Sequence, residues 1–139
     1  MRAVLDTRFF MASLQSEDEQ FKKWARTTLD ALERKTNVGT VPSIVIHEFY
    51  KIQLQTLGKD VAETRVNSVL KLRLQVINLD TSIAVEAAKL RCKYAELPTA
   101  DAIIAATAIK TASDCVLTDD NHIKQIKETK TRWIESINS

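Results

Sequence analysis

Short apolar runs that stop abruptly at an acid recur along this chain. Ala3-Val4-Leu5 ends at Asp6, the alternating stretch Gln75 to Leu79 ends at Asp80, and Cys115-Val116-Leu117 ends at Thr118-Asp119-Asp120. Runs this short and this sharply bounded read as strands, each carrying a carboxylate at its C-terminal end. Helical signals fill the intervals. Ser16 with Glu19 forms a capping box ahead of Phe21, Trp24, Ala25, Leu29 and Leu32, which follow at helical spacing up to Asn37 and Gly39. Val38 to Val41 is a second short strand. Pro42-Ser43 opens a helix through about Leu57 that Gly58 stops, and Asp60 with Glu63 opens another to about Leu74. Thr81 or Ser82 caps a helix to about Glu96. The helix from Pro98-Thr99 is apolar on nearly every side (Ile103, Ile104, Ala105, Ala106, Ala108, Ile109), which predicts that it is sandwiched. A short polar helix from Asn121 and a weak strand near Trp133 complete the pattern. Strands alternating with helices predict an α/β protein with a mostly parallel sheet covered on both faces. Its ligand site is then expected beyond the carboxyl ends of the strands.

Composition narrows the class further. A chain of 139 residues matches one domain, so a single domain over 1–139 is expected, and 45% hydrophobic with 27% charged residues excludes wholesale disorder. Two Gly and two Pro are too few for a many-turned sandwich. No apolar run approaches bilayer length, and Asp6 and Arg8 interrupt any signal-like core near Met1, so a soluble, cytoplasmic protein is expected. Twenty basic against 18 acidic residues leave a net charge of +2, and each side of residue 70 holds ten basic and nine acidic residues. A polyanionic partner would therefore meet a local patch rather than a bulk field. Cys92 and Cys115 lack metal-type spacing and read as reduced, buried thiols.

The acids carry the chemistry. In the helix from Ser43, positions 44, 45, 48, 49 and 52 form one stripe, and Glu48 stands among Ile44, Val45, Phe49 and Ile52. A buried, unpaired carboxylate costs several kcal/mol or shifts its pKa until neutral. Asp101 likewise shares a helix face with Ile104, Ala105 and Ala108, although an acid in a first turn is also favoured by the helix dipole. Asp6, Asp119 and Asp120 terminate strands and so converge on one sheet edge, where turn formation is the plainer alternative. Like charges ~4 Å apart repel by roughly 4 kcal/mol at an effective dielectric of ~20, so such a pocket needs a cation. Oxygen ligands in this number suit Mg²⁺ or Mn²⁺ rather than zinc.

At these residues the chain resembles PIN domains, most closely the VapC-type toxin ribonucleases of toxin–antitoxin pairs. The matching pieces are Val4-Leu5-Asp6-Thr7, Ile46-His47-Glu48-Phe49, the run from Pro98 to Ala106 around Asp101, and Leu117-Thr118-Asp119-Asp120. The resemblance spans residues 1 to about 134. It implies a three-layer α/β/α sandwich, an RNA substrate, a cognate antitoxin and a homodimer. It also implies a catalytic and metal-binding set of Asp6, Glu48, Asp101 and Asp120, with Asp6 and Asp101 as main ligands. Asp119 lies between motif positions and could assist, while Thr7 and Thr118 would support the carboxylates. Arg8 departs from the family's usual Asn or Ser: it could grip substrate phosphate or compete with the metal through a salt bridge to Asp6. Ile123 replaces a common Phe.

Other residues read more plainly. His47 and His122 have no metal-motif spacing, so a helix-surface role is expected for the first and a helix-start role for the second. Phe9, Phe10, Phe21 and Trp24 read as core, and Lys22, Lys23 and Arg26 as an exposed helix face. No phosphate-cradling Gly-rich loop is present, and Asp6-Thr7-Arg8 lacks the D-x-D start of an aspartyl phosphotransferase. Two readings remain: a Mg²⁺/Mn²⁺-dependent endoribonuclease, and a catalytically silent PIN-like module that binds RNA or protein.

Overall fold

The computed structural model describes residues 1–134. Five strands form a wholly parallel sheet in the order β3-β2-β1-β4-β5: β1 (Arg2–Leu5), β2 (Val38–Pro42), β3 (Gln75–Ile77), β4 (Cys115–Leu117) and β5 (Thr131–Arg132). Among the described residues seven helices cover it: α1 (Thr7–Gln15), α2 (Glu19–Leu32), α3 (Ser43–Leu57), α4 (Lys59–Leu70), α5 (Thr81–Lys93), α6 (Thr99–Lys110) and α7 (Asn121–Lys124). This is the expected α/β/α layering, with parallel pairing throughout.

The central strands are apolar because both their faces are covered. Ala3, Val4, Leu5, Cys115, Val116 and Leu117 are all fully buried, as a strand between two helical layers requires. One core packs Phe9, Phe10, Trp24, Leu32, Val45 and Phe49 against these strands. A second joins Ile83, Ala87 and Leu90 of α5 to Ala102, Ile103, Ala105 and Ala106 of α6. Helix α6 therefore buries two faces at once, with Ile104 and Ala108 in the first core. Its all-round apolarity and sandwiched position agree.

Several boundaries differ from expectation for local reasons. Helix α1 carried no clear periodic signal, since Phe9, Phe10 and Met11 are contiguous; it forms because Asp6 caps it and its two phenylalanines reach the core. Asp18, not Ser16, caps α2 by accepting from the Gln20 amide, whereas the Ser16 hydroxyl accepts from the Asp18 amide. Asp80, not Thr81 or Ser82, caps α5 through the Ile83 amide. Asp60 lies inside the first turn of α4, which Gly58 precedes. Gly58 takes φ 86°, a conformation open to glycine without strain, and so turns the chain sharply from α3 to α4. Cys115 is buried as expected, but Cys92 is exposed.

Candidate metal centre

Strand order reverses between β1 and β4: β2 and β3 lie on one side of β1, β4 and β5 on the other. In open parallel sheets such a switch point leaves a crevice beyond the strand ends. Leu5 pairs with Leu117 in register, so Asp6 and Thr118, the next residues, leave the sheet side by side. Their contact is direct. The Thr118 hydroxyl donates to Asp6 Oδ2 at 2.6 Å, and the Thr7 amide donates to Asp6 Oδ1 at 2.7 Å. Asp6 is 3% exposed and Thr118 wholly buried, so these bonds act in a poorly solvated place. The Asp120 amide donates to Thr118 Oγ1 at 3.0 Å, which ties the second strand end to the first.

Helices bring the other two acids. Helix α3 starts where β2 ends, and Glu48 lies on its second turn at the border of the apolar stripe rather than inside it. Val45 and Phe49 are buried, while Glu48 is half-buried and accepts at Oε1 from the Thr7 hydroxyl at 2.9 Å. Thr7 thus serves two carboxylates: its amide holds Asp6 and its hydroxyl holds Glu48. Asp101 lies in the first turn of α6, its side chain 16% exposed, with Oδ2 at 3.6 Å from His122 Nδ1. That nitrogen is 3.3 Å from Asp120 Oδ1, which also accepts from the His122 amide at 2.8 Å. Asp101, Asp120 and His122 each turn a ligating atom into a space where all three lie within 4.8 Å of one another. A chain of contacts therefore runs Glu48–Thr7–Asp6–Thr118–Asp120–His122–Asp101.

The electrostatics follow from this crowding. Burial lifts the Asp6 carboxyl from 3.8 to about 6; the Thr118 and Thr7 hydrogen bonds pull it back, and the charges of Glu48 and Asp120 push it further up. Burial also lifts Asp101 to about 7, reinforced by Asp120, Asp6 and Glu48 and opposed by His122. Two carboxyls whose pKa values are raised towards neutrality, beside two further acids, make a site that gains from a cation.

Arg8 departs from the simplest expectation. Its Nε donates to Asp119 Oδ1 at 2.5 Å and its Nη1 lies 3.8 Å from Asp120 Oδ2, so its partners are these two acids and not Asp6. Asp119 thus engages Arg8 and is not one of the group formed by Asp101, Asp120 and His122. His47 is exposed on α3, as expected, and lines a cleft with Glu48, Lys51 and Thr99. His122 does start a helix, but spacing alone missed its proximity to Asp101; the available signal was its position two residues past Asp120. On the other flank, a groove of about 490 Å³ is lined by Met11, Ala12, Phe21, Ile52 and Trp133, and it shares Thr7, Arg8 and Asp119 with the acid site.

The chain belongs to the PIN domain family, whose profile matches residues 3–129. Its fold is similar to solved structures of low sequence identity. The VapBC2 complex of Rickettsia felis, bound to a DNA fragment from its promoter, has a chain that is 19% identical with a TM-score of 0.79 over 96% of this chain and 98% of that one. VapC20 of Mycobacterium tuberculosis, described as a toxin that cleaves the sarcin–ricin loop, is 16% identical with a TM-score of 0.72, covering 88% and 93%. A toxin–antitoxin complex from Klebsiella pneumoniae gives 23% identity and a TM-score of 0.68, covering 91% and 94%. No curated protein matches the sequence.

Proposed function

We propose that this protein is a metal-dependent endoribonuclease, the toxin of a type II toxin–antitoxin pair. The observation that carries the reading is the convergence of Asp6, Glu48, Asp101 and Asp120 beyond the β1 and β4 ends, with Thr7 and Thr118 orienting three of them. Membership in the PIN family and the likeness in fold to VapC20 support it. The donor set fits a divalent ion: four carboxylates crowd into a half-buried site and two of them are forced towards the neutral form. Asp6 and Asp101 would be the main holders of Mg²⁺ or Mn²⁺, assisted by Glu48 and Asp120. Such an ion, when bound, supplies positive charge to a scissile phosphate and lowers the pKa of water.

The chain's own residues do the rest. The Thr7 amide and Thr118 hydroxyl each engage one Asp6 oxygen, and each oxygen keeps a further lone pair for an ion. The Thr7 hydroxyl holds Glu48, which would accept a proton from attacking water. Arg8, held by Asp119 at the rim with a half-exposed guanidinium, can take a phosphate oxygen of an arriving strand. The flanking groove, whose apolar Met11, Ala12, Phe21, Ile52 and Trp133 are interspersed with Gln15 and Ser16 and adjoin Arg8 and Asp119, suits an amphipathic antitoxin segment that covers the acids when seated. A homodimer and a cytoplasmic setting complete the proposal, and the former is checked by light scattering. Among the described residues no helix is long and apolar enough to cross a membrane.

Asp6→Asn and Asp101→Asn are expected to lower RNA cleavage in Mn²⁺ by about a thousandfold or more, roughly 4 kcal/mol, with the fold retained. Cleavage undiminished in either purified variant would reject the mechanism. Arg8 motivates a second reading, a silent module in which its guanidinium stands in for the metal at Asp119 and Asp120. Binding of RNA without cleavage under any divalent ion, together with no heat of Mn²⁺ binding, would favour that reading.

A further inference from the structure

Among the described residues, His122 is the imidazole grouped with Asp101 and Asp120. Its Nδ1 stands 3.3 Å from Asp120 Oδ1 and 3.6 Å from Asp101 Oδ2. Neighbouring ligand atoms around a six-coordinate ion with bonds of ~2.1 Å lie roughly 3 Å apart, so these separations are close to those of adjacent ligands on one ion. Placement is independent of the side chain: the His122 amide donates to Asp120 Oδ1, the N-cap of α7, which fixes the residue at the mouth of the crevice whatever the imidazole does. The imidazole is half-exposed, so it can reach an ion without a core rearrangement.

We propose that His122 is a direct ligand to the divalent ion, and that it gives the site a preference for Mn²⁺ and later transition ions over Mg²⁺. This rests on the metal-dependent reading above. Four carboxylates alone form an oxygen cage, which suits Mg²⁺ and Mn²⁺ alike. An imidazole breaks that parity, because Mg²⁺ gains little from a nitrogen donor and sheds water reluctantly, whereas Mn²⁺ accepts mixed nitrogen and oxygen sets. The ligands closest to one another would then be Asp101, Asp120 and His122, with Asp6 completing the site from the strand side.

Mn²⁺ bound to the full chain, without RNA, tests this by pulsed electron paramagnetic resonance. The proposal expects ¹⁴N modulation from a directly bound imidazole in the wild type and its loss in His122→Asn. Titration calorimetry on the same proteins should show Mn²⁺ binding weakened about tenfold or more in His122→Asn, with Mg²⁺ binding changed less than about threefold. His122→Asp should restore affinity for both ions without the nitrogen signal or the preference. The proposal is overturned if wild-type Mn²⁺ shows no nitrogen coupling, or if His122→Asn weakens both ions equally. It is also overturned if the variant binds both ions more tightly, the result expected of an imidazole that only neutralises the two carboxylates. Failure of the underlying reading looks different: Mn²⁺ would not bind the wild type at all, or would bind Asp6→Asn and Asp101→Asn undiminished. Thermal melting of each variant establishes that it is folded.

Discussion

The two halves of the acid site are built differently. On the sheet side, Asp6 is buried at the end of β1 and held by two hydrogen bonds, one from the first residue of α1 and one from Thr118, the residue that follows β4. On the helix side, Asp101 is more exposed and has the His122 imidazole as its neighbour at 3.6 Å. Both carboxyls are pushed upward by burial, but hydrogen bonds pull Asp6 back to about 6 while Asp101 rises to about 7. The sheet half is organised before any ion arrives. The helix half has less fixed support and stands to gain most from the ion.

The largest expected effect that bears on this contrast is the pH dependence of stability without metal. Both folded carboxyls have values above the ordinary 3.8, so between about pH 4 and 7 the folded state holds more protons than the unfolded state. Stability therefore is greatest below about pH 4 as far as these groups are concerned, and falls as pH rises through 6 and 7. Each pH unit by which a pKa is raised corresponds to about 1.4 kcal/mol, and the two shifts act in the same direction, so the combined loss is several kcal/mol. Denaturant midpoints measured from pH 4 to 8 should show this decline, and saturating Mn²⁺ should flatten it. A decline that Mn²⁺ leaves unchanged would separate these protons from the ion.

Thr118→Val should come next. It removes the Asp6 hydrogen bond and leaves the Asp120 amide without its acceptor, for a loss of about 2 kcal/mol in stability at pH 7. The same change should raise the Asp6 value further, visible by carboxyl NMR, while Asp101 moves less. Equal movement of both would erase the distinction between the halves. Arg8→Ala should have the smallest effect on stability, within about 0.5–1 kcal/mol, because the ion pair with Asp119 is half-exposed. Mn²⁺ affinity should nevertheless rise, since Asp120 loses a competing cation; lower affinity would show that Arg8 supports the site instead.

The sequence made the sheet half of this site more legible than its contacts. Asp6 and Asp120 could be placed because apolar runs ended at them, and parallel pairing then put them on one edge. Glu48 was found as an anomaly in an apolar stripe, but its actual support, the Thr7 hydroxyl, depends on α1 meeting α3 across 41 residues. No local pattern carries that information. The capping residues show the same limit at short range: Asp18 and Asp80 compete with adjacent Ser and Thr for the same role, and backbone placement selects between them. His122 was passed over because metal motifs are recognised by spacing within one segment, whereas its neighbour Asp101 belongs to a different helix. In helix α1 two adjacent phenylalanines, both buried in the core, mask the helical period.

Crystals grown with Mn²⁺ and measured across its absorption edge would test the shared site most directly. The account predicts one anomalous peak within coordination distance of oxygens from both Asp6 and Asp101. A peak bound to either carboxylate without the other, or density showing the two side chains facing separate solvent regions, would contradict it.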